Sequence, residues 1–127
     1  MAEKIKIMED NRKEQTEALE TLLKFNGRLI NNMQIIVKEL SGNRLEDTDK
    51  FLKSILDAMN WEIQVVNGTM EVLNEGKERV KKETFNNAVV ALSDAVKAND
   101  DAKMVEAFIP IILVFERLGE SVKEVVK

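Results

Sequence analysis

Chemistry in a helical chain needs reactive side chains set at usable spacings, and the candidates here are few. Glu62 stands between Trp61 and Ile63, and Glu106 follows Val105, so both place a carboxylate in an apolar run. A buried carboxylate can bind a metal or act as a general acid or base. A di-iron site of the kind built inside helix bundles also needs Glu-x-x-His pairs. The chain has 0 His and 0 Cys, so neither that site nor a thiolate zinc site can be assembled. An all-carboxylate Mg²⁺ or Ca²⁺ site would have to draw on Glu62 or Glu106. The helical register puts both beside the core stripe, where rim carboxylates are the ordinary occupants.

Ser41, Ser54, Ser93 and Ser121 have no His to activate them, and none lies in a Gly-x-Ser-x-Gly turn. The glycines of Asn26-Gly27-Arg28 and Leu118-Gly119-Glu120 are isolated, so no phosphate-cradling loop exists. Lys77, Glu78, Arg79, Lys81 and Lys82 form the one basic run. It is broken by an acid, has no aromatic platform and sits in a chain of net charge -4, which opposes nucleic-acid binding. The expectation is a protein without catalytic residues, metal or cofactor, and therefore not an enzyme.

The elements that would position any binding residues are helices. A chain of 127 residues with 5 Gly and 1 Pro has too few turn formers for an all-β fold and is the length of one domain. Leu19, Leu22, Asn26, Leu29, Met33, Ile36 and Leu40 recur at alternating three- and four-residue steps, the signature of one helix face able to pack in coiled-coil fashion. Gly42 is the stop signal. The same register runs back to Ile5 through half-polar positions, so residues 1–14 read as a frayed start or a partner-dependent extension.

A second stripe joins Leu52, Leu56, Met59, Ile63, Val66, Met70 and Leu73, with Asp47 or Thr48 as its cap. Its best stop is Gly76, although Val80 keeps the register and would allow the helix to run to about Lys82. A third helix is expected from about Lys77 to Ala98 on Phe85, Ala88, Leu92 and Ala95. A fourth is expected from about Asp101, capped by Asp100. The spacing therefore predicts an all-α, antiparallel up-down four-helix bundle with a long first helix. Pro110, lacking a donor N–H, predicts a kink in the last helix.

Three features point toward binding. Asn26 holds a stripe position where Leu would fit. A buried Asn there fixes register or partner number; the plainer reading is that it meets water at a gap. Trp61 lies off the stripe, as a hot-spot residue or as the last piece of a core. Between Phe108 and Phe115 the last helix is apolar on every side, more than the three positions in seven that a bundle helix needs. Phe108, Ile109, Ile111, Ile112 and Phe115 must be covered by the chain itself, by a second copy in a homodimer, or by a partner helix in a groove.

In size, acidity and helix content the chain is similar to small bacterial secretion and flagellar export chaperones. That similarity is one of general features and assigns no residue roles. The expectation is a cytoplasmic protein-binding module, chaperone- or adaptor-like, that takes an apolar helix against its fourth helix and Trp61. The alternatives are a structural homo-oligomer, or a binder of a small apolar ligand near Pro110 with Glu106 as polar anchor. No membrane or nucleic-acid partner is expected.

Overall fold

The computed structural model describes residues 2–126, and the side chains of 11–126. All regular structure among them is helical: α1 (Ala2–Leu40), α2 (Thr48–Gly68), the single turn α3 (Met70–Leu73), α4 (Lys82–Lys97) and α5 (Asp101–Val125). None of these helices is long and apolar enough to cross a membrane. The expectation for residues 1–14 falls largely on side chains outside the described set. Of the four that are described, Arg12 is ion-paired with Glu75.

The first stripe is the spine of the core. Leu19, Leu22, Leu29, Met33, Ile36 and Leu40 are all buried. Gly42, at φ +103°, ends the helix in the left-handed region that glycine enters without a Cβ clash. The following turn is closed by side chains. The amide of Leu45 donates to Thr48 Oγ1 at 2.7 Å, and Thr48 Oγ1 donates to Glu39 Oε1 at 2.8 Å. Thr48 is fully buried, so these bonds satisfy a hydroxyl and a carboxylate that would otherwise be left without water. Asp47 is the N-cap but makes no side-chain cap bond. Arg44 reaches from the same turn to Asp101 at 2.6 Å and Asp49 at 2.9 Å, tying the α1–α2 connection to the start of α5. The guanidinium holds the Asp101 carboxyl below its usual range.

The second stripe differs from its expectation in two ways. The helix does not reach Gly76. It ends at Gly68; the Thr69 amide donates to the Val66 carbonyl at 3.1 Å, and its hydroxyl donates to the Val65 carbonyl at 2.7 Å. After α3 the chain crosses an irregular segment in which Asn74 replaces helix hydrogen bonds. Its Oδ1 accepts from the amides of Arg79 and Val80, each at 2.9 Å, and its Nδ2 donates to the Val80 carbonyl at 3.0 Å. Gly76, at φ +82°, lies inside that segment, and the third long helix starts at Lys82 rather than Lys77.

The buried face of α2 is also rotated. It consists of Leu52, Ile55, Met59, Glu62 and Val66, while Leu56 and Ile63 are half-buried. The physical reason is which neighbours α2 has. It packs along α1 and meets α3, but no Cα of α2 lies within 8 Å of a Cα of α4 among the described residues. Burial therefore follows the face toward α1. The pairing is antiparallel, with Glu39 beside Thr48, Phe25 beside Trp61 and Arg12 beside Glu75.

On its other side α1 packs against α5, and α5 packs against α4. Asp100 caps α5 as expected, its side chain accepting from the Lys103 amide at 3.1 Å. The apolar segment of α5 is covered from within: Phe108, Ile111 and Phe115 are 0% exposed, and Phe115 meets Phe85 of α4 with ring centroids 5.6 Å apart. This removes these three from any docking face. The helix continues through Pro110, which lies on the exposed side with Glu106 one turn back.

Candidate binding clefts

Clefts flank α2 on both sides, and two of them are lined mostly by apolar side chains. The first separates α2 from α4 and has a volume of about 320 Å³. α2 lines it with Leu56, Met59 and Ile63, and α4 with Val89, Leu92 and Val96. Leu56, Ile63, Val89 and Val96 are left half-buried where the two helices stand apart, and Met59 and Leu92 are buried at the floor. Lys97 is the one charged residue of the lining; Asn60 and Ser93 are the polar ones. Helical register extends the lip. Lys53 lies two turns before Asn60 and Lys82 two turns before Val89, each on the cleft side of its helix. None of Lys53, Lys82 and Lys97 is ion-paired among the described residues, and all three are exposed. The groove is thus apolar at its floor, with Lys97 on its lining and Lys53 and Lys82 further along its sides, in a chain of net charge -4.

The second cleft lies between α1 and α2 and encloses about 210 Å³. Phe25 and Trp61 stand at its mouth, edge to face, with centroids 6.2 Å apart and rings at 88°. Each keeps a large exposed surface, 50% for Phe25 and 40% for Trp61. Glu62 lies inside: it is 1% exposed, and its Oε1 is buried without a hydrogen-bond partner. Burial pushes its carboxyl pKa up to about 8. Glu62 is therefore part of the α1-facing core surface of α2, not a rim residue as its position beside the second stripe suggested.

The residues expected to bind a partner are not brought together. Trp61 is on the α1–α2 face. Ile109 is 62% exposed on the outer side of α5, with Ile112 half-buried beside it. Pro110 and Glu106 line neither cleft. Asn26 is 4% exposed, and its Nδ2 donates to the Phe115 carbonyl at 3.1 Å, so it joins α1 to α5 within the core. Gly119 makes room for it: a Cβ there would stand 2.6 Å from that nitrogen. No group of three acidic residues that could hold a metal ion occurs among the described residues.

Sequence reasoning missed Phe25, which is one residue from Asn26 but on the α2 side, and the basic lip. Register alone placed Lys53, Lys82 and Lys97 on helix faces; what was missing was which faces look at each other. The third helix was also expected to start in the basic run, at about Lys77. Instead Arg79 pins the irregular segment, donating to the carbonyls of Leu73 and Glu75 at 3.1 and 2.7 Å and to Glu124 at 2.9 Å. That contact and Lys77 hold the Glu124 carboxyl below its usual range.

Comparison with known proteins gives a family without a function. No curated protein and no solved structure matches the chain. One family model matches residues 17–124, which span the described helices from α1 through nearly all of α5. The chain belongs to the family described as a domain of unknown function, DUF8042.

Proposed function

We propose that the protein is a non-enzymatic, cytoplasmic binding module, an up-down bundle of four long helices opened along one side, that takes an acidic amphipathic helix of a partner protein into the α2–α4 groove. One observation carries this reading. α2 and α4, more than 8 Å apart at every Cα pair, both turn apolar side chains toward a space that none of the described residues fills. In closed bundles that space is filled by direct helix contact at interaxial distances of about 8–10 Å. Here a third helix would complete the layer, its apolar face on Leu56, Ile63, Val89 and Val96. The unpaired lysines on the lip favour acidic residues on the flanks of the occupant and disfavour a basic one. The site differs from the α5 surface expected from sequence, but the mode, helix in groove, is the same.

The test uses two designed amphipathic helical peptides with one apolar face and either Glu or Lys at the flanking positions. Binding is followed by fluorescence anisotropy of the labelled peptides. The acidic peptide should bind at least tenfold tighter than the basic one. Ile63→Asp should abolish binding with the helical circular dichroism unchanged, and Lys97→Glu should narrow the preference. Equal binding of both peptides, or of neither, defeats the reading. Light scattering that shows a dimer dissociated by Ile63→Asp would assign the groove to a second copy instead.

A further inference from the structure

We propose that the cleft between α1 and α2 is a binding site for a small organic amine, whose ammonium is held by Glu62 against the rings of Phe25 and Trp61. The site is distinct from the α2–α4 groove, on the opposite flank of α2, and stands whether or not that groove takes a helix.

Glu62 is an acid in apolar company. Positions 52, 55, 59, 62 and 66 form the buried face of α2, and the others are Leu, Ile, Met and Val. A carboxylate among them is costly unless something compensates its charge or satisfies its oxygens. Nothing among the described residues does so: Oε1 has no partner there, and burial is the cause of the carboxyl's raised pKa. The cleft that Glu62 lines opens to solvent and is large enough for a molecule of several heavy atoms, with about 210 Å³ against about 30 Å³ for one water. Its mouth carries two partly exposed aromatic rings.

A buried carboxylate in a cleft shared with two aromatic rings is a combination that recognises an ammonium, through a charge-assisted hydrogen bond to the carboxylate and cation–π contact with a ring. A metal ion would find one carboxylate where several oxygens are needed.

Charged groups facing Glu62 are few. Arg28 of α1 is the sole other ionisable side chain of the lining, and it is exposed and free to point into water. α2 adds only Ser54 as a further polar side chain, and α3, the remaining element against α2, lines none of the cleft. An empty cleft therefore keeps its carboxyl protonated at neutral pH. Ammonium binding ionises it and releases a proton to solvent.

Trp61 is the only tryptophan and stands at the mouth, so its fluorescence reports occupancy. The probe is n-butylammonium, titrated at constant ionic strength into the full chain, with n-butanol as the uncharged control. Saturable change is expected with the ammonium and not with the alcohol. With a carboxyl pKa of about 8, apparent affinity should rise about tenfold from pH 6 to pH 7, and level off above about pH 9. Glu62→Gln should weaken binding at least tenfold at pH 8 and flatten the pH profile. Arg28→Gln should bind at least as tightly as the natural chain, which separates a lost site from a lost fold.

The proposal is overturned if n-butanol matches the ammonium, if the profile is flat, or if Glu62→Gln binds like the natural chain. It is overturned equally if NMR titration finds Glu62 in the ordinary carboxylate range and Arg28→Gln raises it. Arg28 would then already hold the site.

Discussion

Replacing Glu62 by Gln should stabilise the protein, and by an amount that depends on pH. The unfolded carboxyl titrates near 4.5 and the folded one near 8, because folding takes it out of water with no opposite charge to receive it. A raised pKa on an acid means that the folded state prefers the protonated form. The stability associated with that proton is fully present below pH 4.5 and is lost as pH rises toward 8. At about 1.4 kcal/mol per pH unit, the roughly 2.5 units between 4.5 and pH 7 correspond to about 3 kcal/mol. At pH 5 the same reasoning gives less than about 1 kcal/mol.

Gln has nearly the same shape and is neutral throughout, so this component is absent from the variant. Its amide also lacks a partner, as the protonated carboxyl does, so that cost cancels in the comparison. The assay is urea denaturation at pH 5 and pH 7, followed by far-ultraviolet circular dichroism. The variant should exceed the natural chain by about 3 kcal/mol at pH 7 and by under about 1 kcal/mol at pH 5. Other titrating groups contribute equally to both proteins and drop out. A gap that is the same at both pH values, or a variant less stable at pH 7, would show that Glu62 is ionised and compensated in the folded state.

Three further outcomes follow from the packing. Ile111→Ala should cost about 2–5 kcal/mol, since Ile111 is 0% exposed, whereas Ile109→Ala, at 62% exposure, should change stability by under about 1 kcal/mol; equal losses in thermal denaturation would contradict the cover assigned to α5. Gly119→Ala places a methyl 2.6 Å from Asn26 Nδ2 and must displace the bond to the Phe115 carbonyl. A net loss of about 1 kcal/mol is expected after the helix-propensity gain of alanine, and a more stable variant would mean that Asn26 moves at no cost. Asn74→Ala removes three hydrogen bonds that close the segment before α4 and should cost about 2 kcal/mol, with hydrogen exchange at Val80 accelerated first.

Much of the architecture could be read along the chain because it is set by local periodicity. The α1 stripe from Leu19 to Leu40, its end at Gly42, the cap at Asp100 and the start of α5 at Asp101 depend on residues within a few positions of one another. The helical nature of the fold and the burial of Asn26 on the first stripe have the same origin. The end of α2 was not legible. Gly68 and Gly76 both offer a stop; the break falls at Thr69, one more helical turn follows, and Asn74 and Arg79 then satisfy the irregular backbone after it. Those bonds link residues across a loop and carry no periodic signal.

What only the tertiary structure decided is which faces meet. A stripe states that a helix has an apolar side, not what lies against it. Leu56 and Ile63 fit the α2 stripe as well as Ile55 and Glu62 fit its neighbour, and the choice between them came from the contact with α1 and the distance from α4. The same contact buried Glu62, raised its carboxyl pKa and set Phe25 against Trp61. The all-apolar segment from Phe108 to Phe115 required cover, and sequence could not say whose. Cover by α1 and α4 leaves its outer edge, at Ile109, Pro110 and Leu113, in water. Both clefts exist because four long helices are not packed equally on all sides, and that inequality is a property of their arrangement in space.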